Sequence, residues 1–197
     1  SAFRLFLNDP AQKAFVENSA SALINVLNTL KVIPRLLKLA DINGDGNIDI
    51  WVAGELNDAP VNILLVYDAG RNTYIPQELP QELQSAIVTD IRFADINYDS
   101  LVEIIVATPE KLALYNVNNN TLIPNNSIPA DVKALFISVS DIDRDWDMDI
   151  IGTELGKIGV LHNNGLNTFA PGPKPIWNNA GAGGINNSGG KIESSDL

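Results

Sequence analysis

Apolar residues in this chain come in short runs rather than in helical stripes. Ile63-Leu64-Leu65-Val66-Tyr67, Ile104-Ile105-Val106 and Ile150-Ile151 are apolar at consecutive positions. That pattern predicts strands buried on both faces. Leu112–Tyr115 and Ile158–Leu161 read as further strands. Turn residues follow three of these runs: Asp68-Ala69-Gly70, Asn116–Asn119 and Asn163-Asn164-Gly165. A second short run then repeats, as Asn72-Thr73-Tyr74-Ile75-Pro76, Asn120-Thr121-Leu122-Ile123-Pro124 and Asn167-Thr168-Phe169-Ala170-Pro171. One stretch breaks the strand pattern. Ser19–Leu30 has apolar residues at helical spacing behind a serine cap, which predicts a short helical insertion near 19–30.

The polar positions repeat in step. Asp41–Asp49 reads D-I-N-G-D-G-N-I-D, Asp95–Glu103 reads D-I-N-Y-D-S-L-V-E, and Asp141–Asp149 reads D-I-D-R-D-W-D-M-D. A small residue precedes each loop (Ala40, Ala94, Ser140), and β-formers follow each. The first aspartates lie 54 and 46 positions apart. Each unit is therefore strand, acidic loop, strand, strand, turn, strand. Four short strands in about 40–55 residues is the pattern of a β-propeller blade. The fold expected is all-β, with about three and a half blades of four antiparallel strands. Residues 1–18 would be the last two strands of a preceding blade. Residues 19–80, 81–130 and 131–177 would be blades carrying the first, second and third acidic loops. Residues 178–197, rich in Gly, Asn and Ser, would enter a further blade, since Ser195-Asp196-Leu197 matches Ser140-Asp141-Ile142. Blades completing the ring would come from a longer chain or a second copy.

Oxygen-bearing side chains at positions 1, 3, 5 and 9, with a backbone carbonyl near 7, can wrap a hard cation. The first loop offers Asp41, Asn43, Asp45 and Asp49 with the carbonyl of Asn47. The second offers Asp95, Asn97, Asp99 and Glu103 with the carbonyl of Leu101. The third offers Asp141, Asp143, Asp145 and Asp149 with the carbonyl of Asp147. Carboxylates about 4 Å apart repel by roughly 1 kcal/mol in water and roughly 4 kcal/mol at intermediate dielectric. A divalent ion reverses that field, so up to three Ca²⁺ are expected. An EF-hand would need a Glu at position 12 and flanking helices. Val52, Val106 and Gly152 stand there, and the flanks read as strands. Gly46 suits the sharp turn at position 6, where the other loops carry Ser100 and Trp146. The first loop is expected to form best. The third must turn differently or carry strain, and the second, with three carboxylates and no glycine, is the weakest.

Composition narrows the function. The 197 residues carry 13 Lys+Arg against 24 Asp+Glu, a net charge of −11. No basic face for nucleic acid is available. No run of about 18 apolar residues could span a membrane. With no cysteine, disulfides and thiol chemistry are out of reach, and one histidine cannot build a site on several histidines. His162 reads as a surface or satisfied residue rather than a catalyst, Trp51 as core, and Trp146 as an exposed platform or lid.

The acidic loops Asp41–Ile50, Asp95–Ile104 and Asp141–Ile150, with the three Asn-Thr segments, resemble the FG-GAP and VCBS-type repeats of integrin-α-like β-propellers. No literal Phe-Gly or Gly-Ala-Pro pair is present, only Phe93-Ala94 and Ala53-Gly54. The resemblance implies structural Ca²⁺ in the loops and an extracellular, cell-surface or lumenal setting, with any secretion signal outside these residues. It also implies a ring face that binds proteins or glycans. The function expected is a non-enzymatic recognition or adhesion module. The alternatives are part of a polysaccharide-active enzyme, or a lectin.

Overall fold

All five residues of the strand Glu103–Ala107 are buried, so this strand has no wet face. Ile104 and Val106 pack on one neighbouring sheet, Ile105 and Ala107 on the other. That double burial is what the continuous apolar runs require. The computed structural model describes residues 4–18, 21–154, 156–165 and 168–171. Asn167, residues 178–197 and the Ser195-Asp196-Leu197 match lie outside them.

The described residues are all-β in outline and form four antiparallel sheets. A hairpin of β1 (Phe6–Asp9) and β2 (Ala14–Glu17) comes first, then helix α1 (Ala22–Thr29). The first four-stranded sheet contains β3 (Ile33–Ala40), β4 (Asp49–Leu56), β5 (Ala59–Asp68) and β6 (Thr73–Gln77). A single helical turn, α2 (Gln81–Gln84), was not legible in the sequence pattern and leads to the second sheet. That sheet contains β7 (Asp90–Ala94), β8 (Glu103–Ala107), β9 (Leu112–Asn118) and β10 (Thr121–Asn125). The third contains β11 (Phe136–Ser140), β12 (Asp149–Glu154), β13 (Lys157–Asn163) and β14 (Phe169–Pro171). Each four-stranded sheet is a simple meander. The described residues form no closed propeller.

Local chemistry explains the hairpins. Asn57-Asp58 between β4 and β5 has φ of 52° and 63°, and Asn119-Asn120 between β9 and β10 has 47° and 63°. Tight antiparallel turns of this hand need positive φ at both positions, which Asn and Asp tolerate. Trp51, Ala53, Leu64 and Val66 of the first sheet meet Ile91, Ile104, Val106 and Tyr115 of the second. Ile105, Leu112 and Leu114 meet Ile137, Ile150 and Leu161 of the third. The helix expected near 19–30 forms as α1. Ser21 caps it by accepting the Ile24 N–H at 3.1 Å, and Leu27 packs over Ile50, Val52 and Leu65.

The first strands β3, β7 and β11 lie side by side, and a buried carboxylate joins them. Asp90 on β7 takes the Lys38 ammonium of β3 at 2.9 Å and Arg92 at 3.3 Å. It also accepts the Ile137 N–H of β11 at 3.1 Å, while Arg92 Nε donates to the Ile137 carbonyl at 2.6 Å. Removing one member of such a buried pair leaves the others short of partners. We expect Asp90→Ala to cost about 2–4 kcal/mol, read as a lower urea midpoint at unchanged m-value. A loss under about 0.5 kcal/mol would show the three strands to be held by apolar packing alone.

Candidate functional site

Each acidic loop leaves the first strand of a sheet and enters the second. Its last acidic residue opens that second strand and is almost wholly buried, as Asp49, Glu103 and Asp149. A buried carboxylate needs hydrogen-bond donors. Asp49 Oδ2 accepts the Ile42 N–H at 3.1 Å, Glu103 Oε2 the Ile96 N–H at 2.8 Å, and Asp149 Oδ2 the Ile142 N–H at 2.9 Å. In the first and third sheets the other oxygen accepts a third-strand N–H, from Tyr67 at 2.9 Å and Asn163 at 3.0 Å. Glu103 is one methylene longer and turns its second oxygen to the Asn97 amide at 2.9 Å.

The remaining positions fold onto themselves in one shared pattern. Position 1 accepts the N–H of position 6: Gly46 to Asp41 at 2.8 Å, Ser100 to Asp95 at 3.0 Å, Trp146 to Asp141 at 3.1 Å. Position 5 accepts the N–H of position 7, so Asn47, Leu101 and Asp147 donate to Asp45, Asp99 and Asp145. The backbone at position 4 has φ of 73°, 59° and 67° at Gly44, Tyr98 and Arg144. At position 6 it has 84°, 71° and 78° at Gly46, Ser100 and Trp146. The third loop therefore does not turn differently; it carries the strain of a left-handed Trp. Trp146 is 84% exposed, whereas Trp51 is fully buried.

The loops differ in how far they gather their carboxylates. Ligand oxygens of Asp141, Asp143 and Asp145 lie within 4.8 Å of one another. Asp143, Asp149 and His162 form a second such group. In the first two loops, Asn43 and Asn97 turn amide nitrogens toward Asp45 and Asp99, at 3.1 and 3.0 Å. His162, read from sequence as a surface or satisfied residue, has Nδ1 3.1 Å from Asp143 Oδ2 and 3.6 Å from Asp149 Oδ1. The β12–β13 register was the signal that could have found it: Ile150 pairs with Leu161, which sets His162 opposite Asp149. Asp95 Oδ1 and His162 Nδ1 are buried without a hydrogen bond. Such orphaned atoms beside clustered carboxylates fit a bound cation. A nitrogen donor at the third loop widens the choice of divalent ion beyond Ca²⁺.

Electrostatics point the same way. Burial, then the charges of Asp99 and Asp95, push the Glu103 carboxyl up to about 7. Burial also raises Asp49. Lost hydration, then Asp145, Asp149, Asp141 and Asp143, raises Asp147. Burial and then Asp147, Asp141, Asp145 and Asp95 raise Tyr98, so this second-loop phenol lies in the field of the third loop. The first loop also touches the second: a Cβ on Gly44 would meet Leu101 at 2.9 Å. The three loops thus form one acidic surface. Beside it, Asn43, Leu101, Val117 and Asn118–Asn120 line a groove of about 420 Å³.

No protein-family model and no curated protein matches the chain. Among solved structures, the chain is similar to an Agrocybe aegerita lectin described as specifically recognising non-reducing terminal N-acetylglucosamine. The match has 19% identity and a TM-score of 0.50, over 71% of this chain and 38% of the lectin. At that identity the likeness is one of fold. The chain spans well under half of the lectin's length.

Without divalent ions, Glu103 keeps its proton in the folded chain up to about pH 7, against an ordinary value of 4.5. The folded state therefore holds the extra proton between these values. That contribution is complete below about pH 4.5 and lost as pH rises through 7. Its size is on the order of 3 kcal/mol. In EDTA, Glu103→Gln should unfold at higher urea than the parent at pH 8 and at similar urea at pH 4.5. Equal midpoints at both pH values would show that Glu103 ionises without cost in the fold.

Proposed function

We propose that this chain is a non-enzymatic recognition module, built from blades of a β-propeller, that uses Ca²⁺ as a structural ion in its three acidic loops. The observation that carries the reading is the shared loop geometry. Three loops of different sequence adopt the same left-handed turns and bury the same final carboxylate, at the expense of strain in Trp146 and a raised Glu103. Clustered charge and strained backbone of this kind are tolerated where a ligand compensates them. Asp41, Asn43, Asp45 and Asp49 would hold the ion in the first loop, Asp95, Asn97, Asp99 and Glu103 in the second. Asp141, Asp143, Asp145 and Asp149 would hold it in the third, beside His162. Three ions would bring the charge of −11 to about −5. The millimolar Ca²⁺ such loops need fits an extracellular or lumenal setting.

Glycan is the ligand class that we favour. The lectin likeness supports it. So do two features of the loop surface: Trp146 and Tyr98 are exposed on the third and second loops, and asparagine amides line the groove beside the first. Aromatic faces stack on sugar rings, and amides pair with hydroxyl and acetamido groups.

Ca²⁺ at a hundredfold excess over Kd should add about 2.7 kcal/mol per site. Differential scanning should show this as a rise of roughly 5–10 °C per site, abolished by EDTA. Unfolding that is indifferent to both Ca²⁺ and EDTA would refute the metal reading. Trp146→Gly separates structure from recognition. It should raise stability by about 0.5–1 kcal/mol, because glycine accepts the left-handed turn. It should also weaken binding to oligosaccharides ending in N-acetylglucosamine by at least tenfold in glycan titrations. Unchanged binding would remove Trp146 from the ligand surface.

A further inference from the structure

The β1–β2 hairpin is a copy of β5–β6 standing alone. Both are closed by a four-residue turn, at 10–13 and 69–72. Both turns begin with an aspartate whose Oδ1 accepts backbone N–H groups, from Ala11 and Gln12 at 2.9 and 3.2 Å and from Arg71 at 3.0 Å. Both end in a left-handed residue, Lys13 at φ 51° and Asn72 at φ 49°. By this register Phe6 corresponds to Leu65, Leu7 to Val66 and Asn8 to Tyr67. Leu65 and Val66 are buried, while Phe6 and Leu7 are about half exposed and Phe15 on β2 more so. A two-stranded sheet with apolar residues on both faces is marginal in water.

The missing element can be specified. Asn18 N–H donates to the Leu5 carbonyl at 2.8 Å. Leu5, Leu7 and Asp9 therefore aim their backbone groups at β2, and Phe6 and Asn8 aim theirs away from it. Among the described residues no strand pairs with that outer edge of β1. In the first sheet the corresponding edge of β5 is covered by β4, and the Tyr67 N–H there donates to Asp49, the last residue of the acidic loop. The third sheet repeats this with Asn163 and Asp149. Asn8 presents the same N–H at the same place in the hairpin.

We infer that β1 is a strand acceptor, and that its partner is a strand–acidic loop–strand hairpin of this chain's own repeat type. The partner's second strand pairs with β1, and the aspartate that opens that strand accepts the Asn8 N–H. Phe6, Leu7, Phe15 and Val16 then become the faces of a full four-stranded sheet. The inference needs no metal and stands apart from the recognition reading.

The test extends the full chain at its N-terminus with a second copy of residues 31–59, which carries the Asn57-Asp58 turn and the first residue of β5, so that Phe6 keeps the register of Leu65. Backbone amide exchange at Phe6 and Asn8 should slow at least tenfold relative to the unextended chain. A separate peptide of residues 31–58, added to the unextended chain, should slow the same two amides saturably. Asn8→Pro in the extended chain removes the edge donor without touching the β1–β2 bonds, and should return Phe6 to fast exchange. Replacing the Asp49 equivalent in the added copy by Asn should speed exchange at Asn8 more than at Phe6. Fast exchange at both amides in the extended chain and with the peptide would overturn the inference. So would full protection of Phe6 despite Asn8→Pro. Concentration-dependent protection in the unextended chain alone would overturn it too, by assigning the edge to a second copy.

Discussion

A carboxylate placed where water cannot reach it must find its donors in the chain, and each four-stranded unit is arranged around one such group. Asp49 and Asp149 accept one N–H from the start of their own loop and one from the third strand. Two hydrogen bonds thus fasten a polar loop to the middle of a sheet. Without those bonds the ion would cost several kcal/mol to bury. With them it fixes where the first strand ends, how the loop curls and which residue of the third strand faces it. The left-handed turns at positions 4 and 6 follow from that geometry, because the chain has only nine residues in which to return to its own starting strand.

The units are variants of that plan and not equals. The first has glycine at both left-handed positions and meets the turn without strain. The second replaces the terminal aspartate by Glu103, whose extra methylene redirects one oxygen from the third strand to Asn97. It leaves Asp95 Oδ1 without a partner. The third has the densest charge, a histidine alongside and a tryptophan in a conformation that suits glycine. Strain and charge are thus both greatest in the third loop, whose Trp146 is 84% exposed.

Much of this was legible from residue order. The repeat, the acidic loops, the buried runs and α1 are all marked by spacing, because double burial demands continuous apolar residues and an N-cap demands a short polar side chain. The helical turn α2 was not legible: it is a single turn, fastened by Asn62 donating to the Leu83 and Ala86 carbonyls at 2.6 and 2.9 Å. His162 was missed because its role depends on strand register, which a linear reading does not contain. At Trp146 residue preference left two outcomes open, a different turn or strain, and the loop takes the second: hydrogen bonds to Asp141 and Asp145 and burial of Asp149 outweigh about 1–2 kcal/mol of local strain.

The Asp90 cluster bears on how the sheets come apart. In a solenoid each repeat leans only on its neighbours, and terminal repeats fray independently. Here a single carboxylate is shared by strands from all three four-stranded sheets. Peeling away either flank would strip a buried ion of donors supplied from that side. Partly unfolded forms with one sheet detached are thereby penalised, and the three meanders are bound into one cooperative folding unit despite their modular sequence.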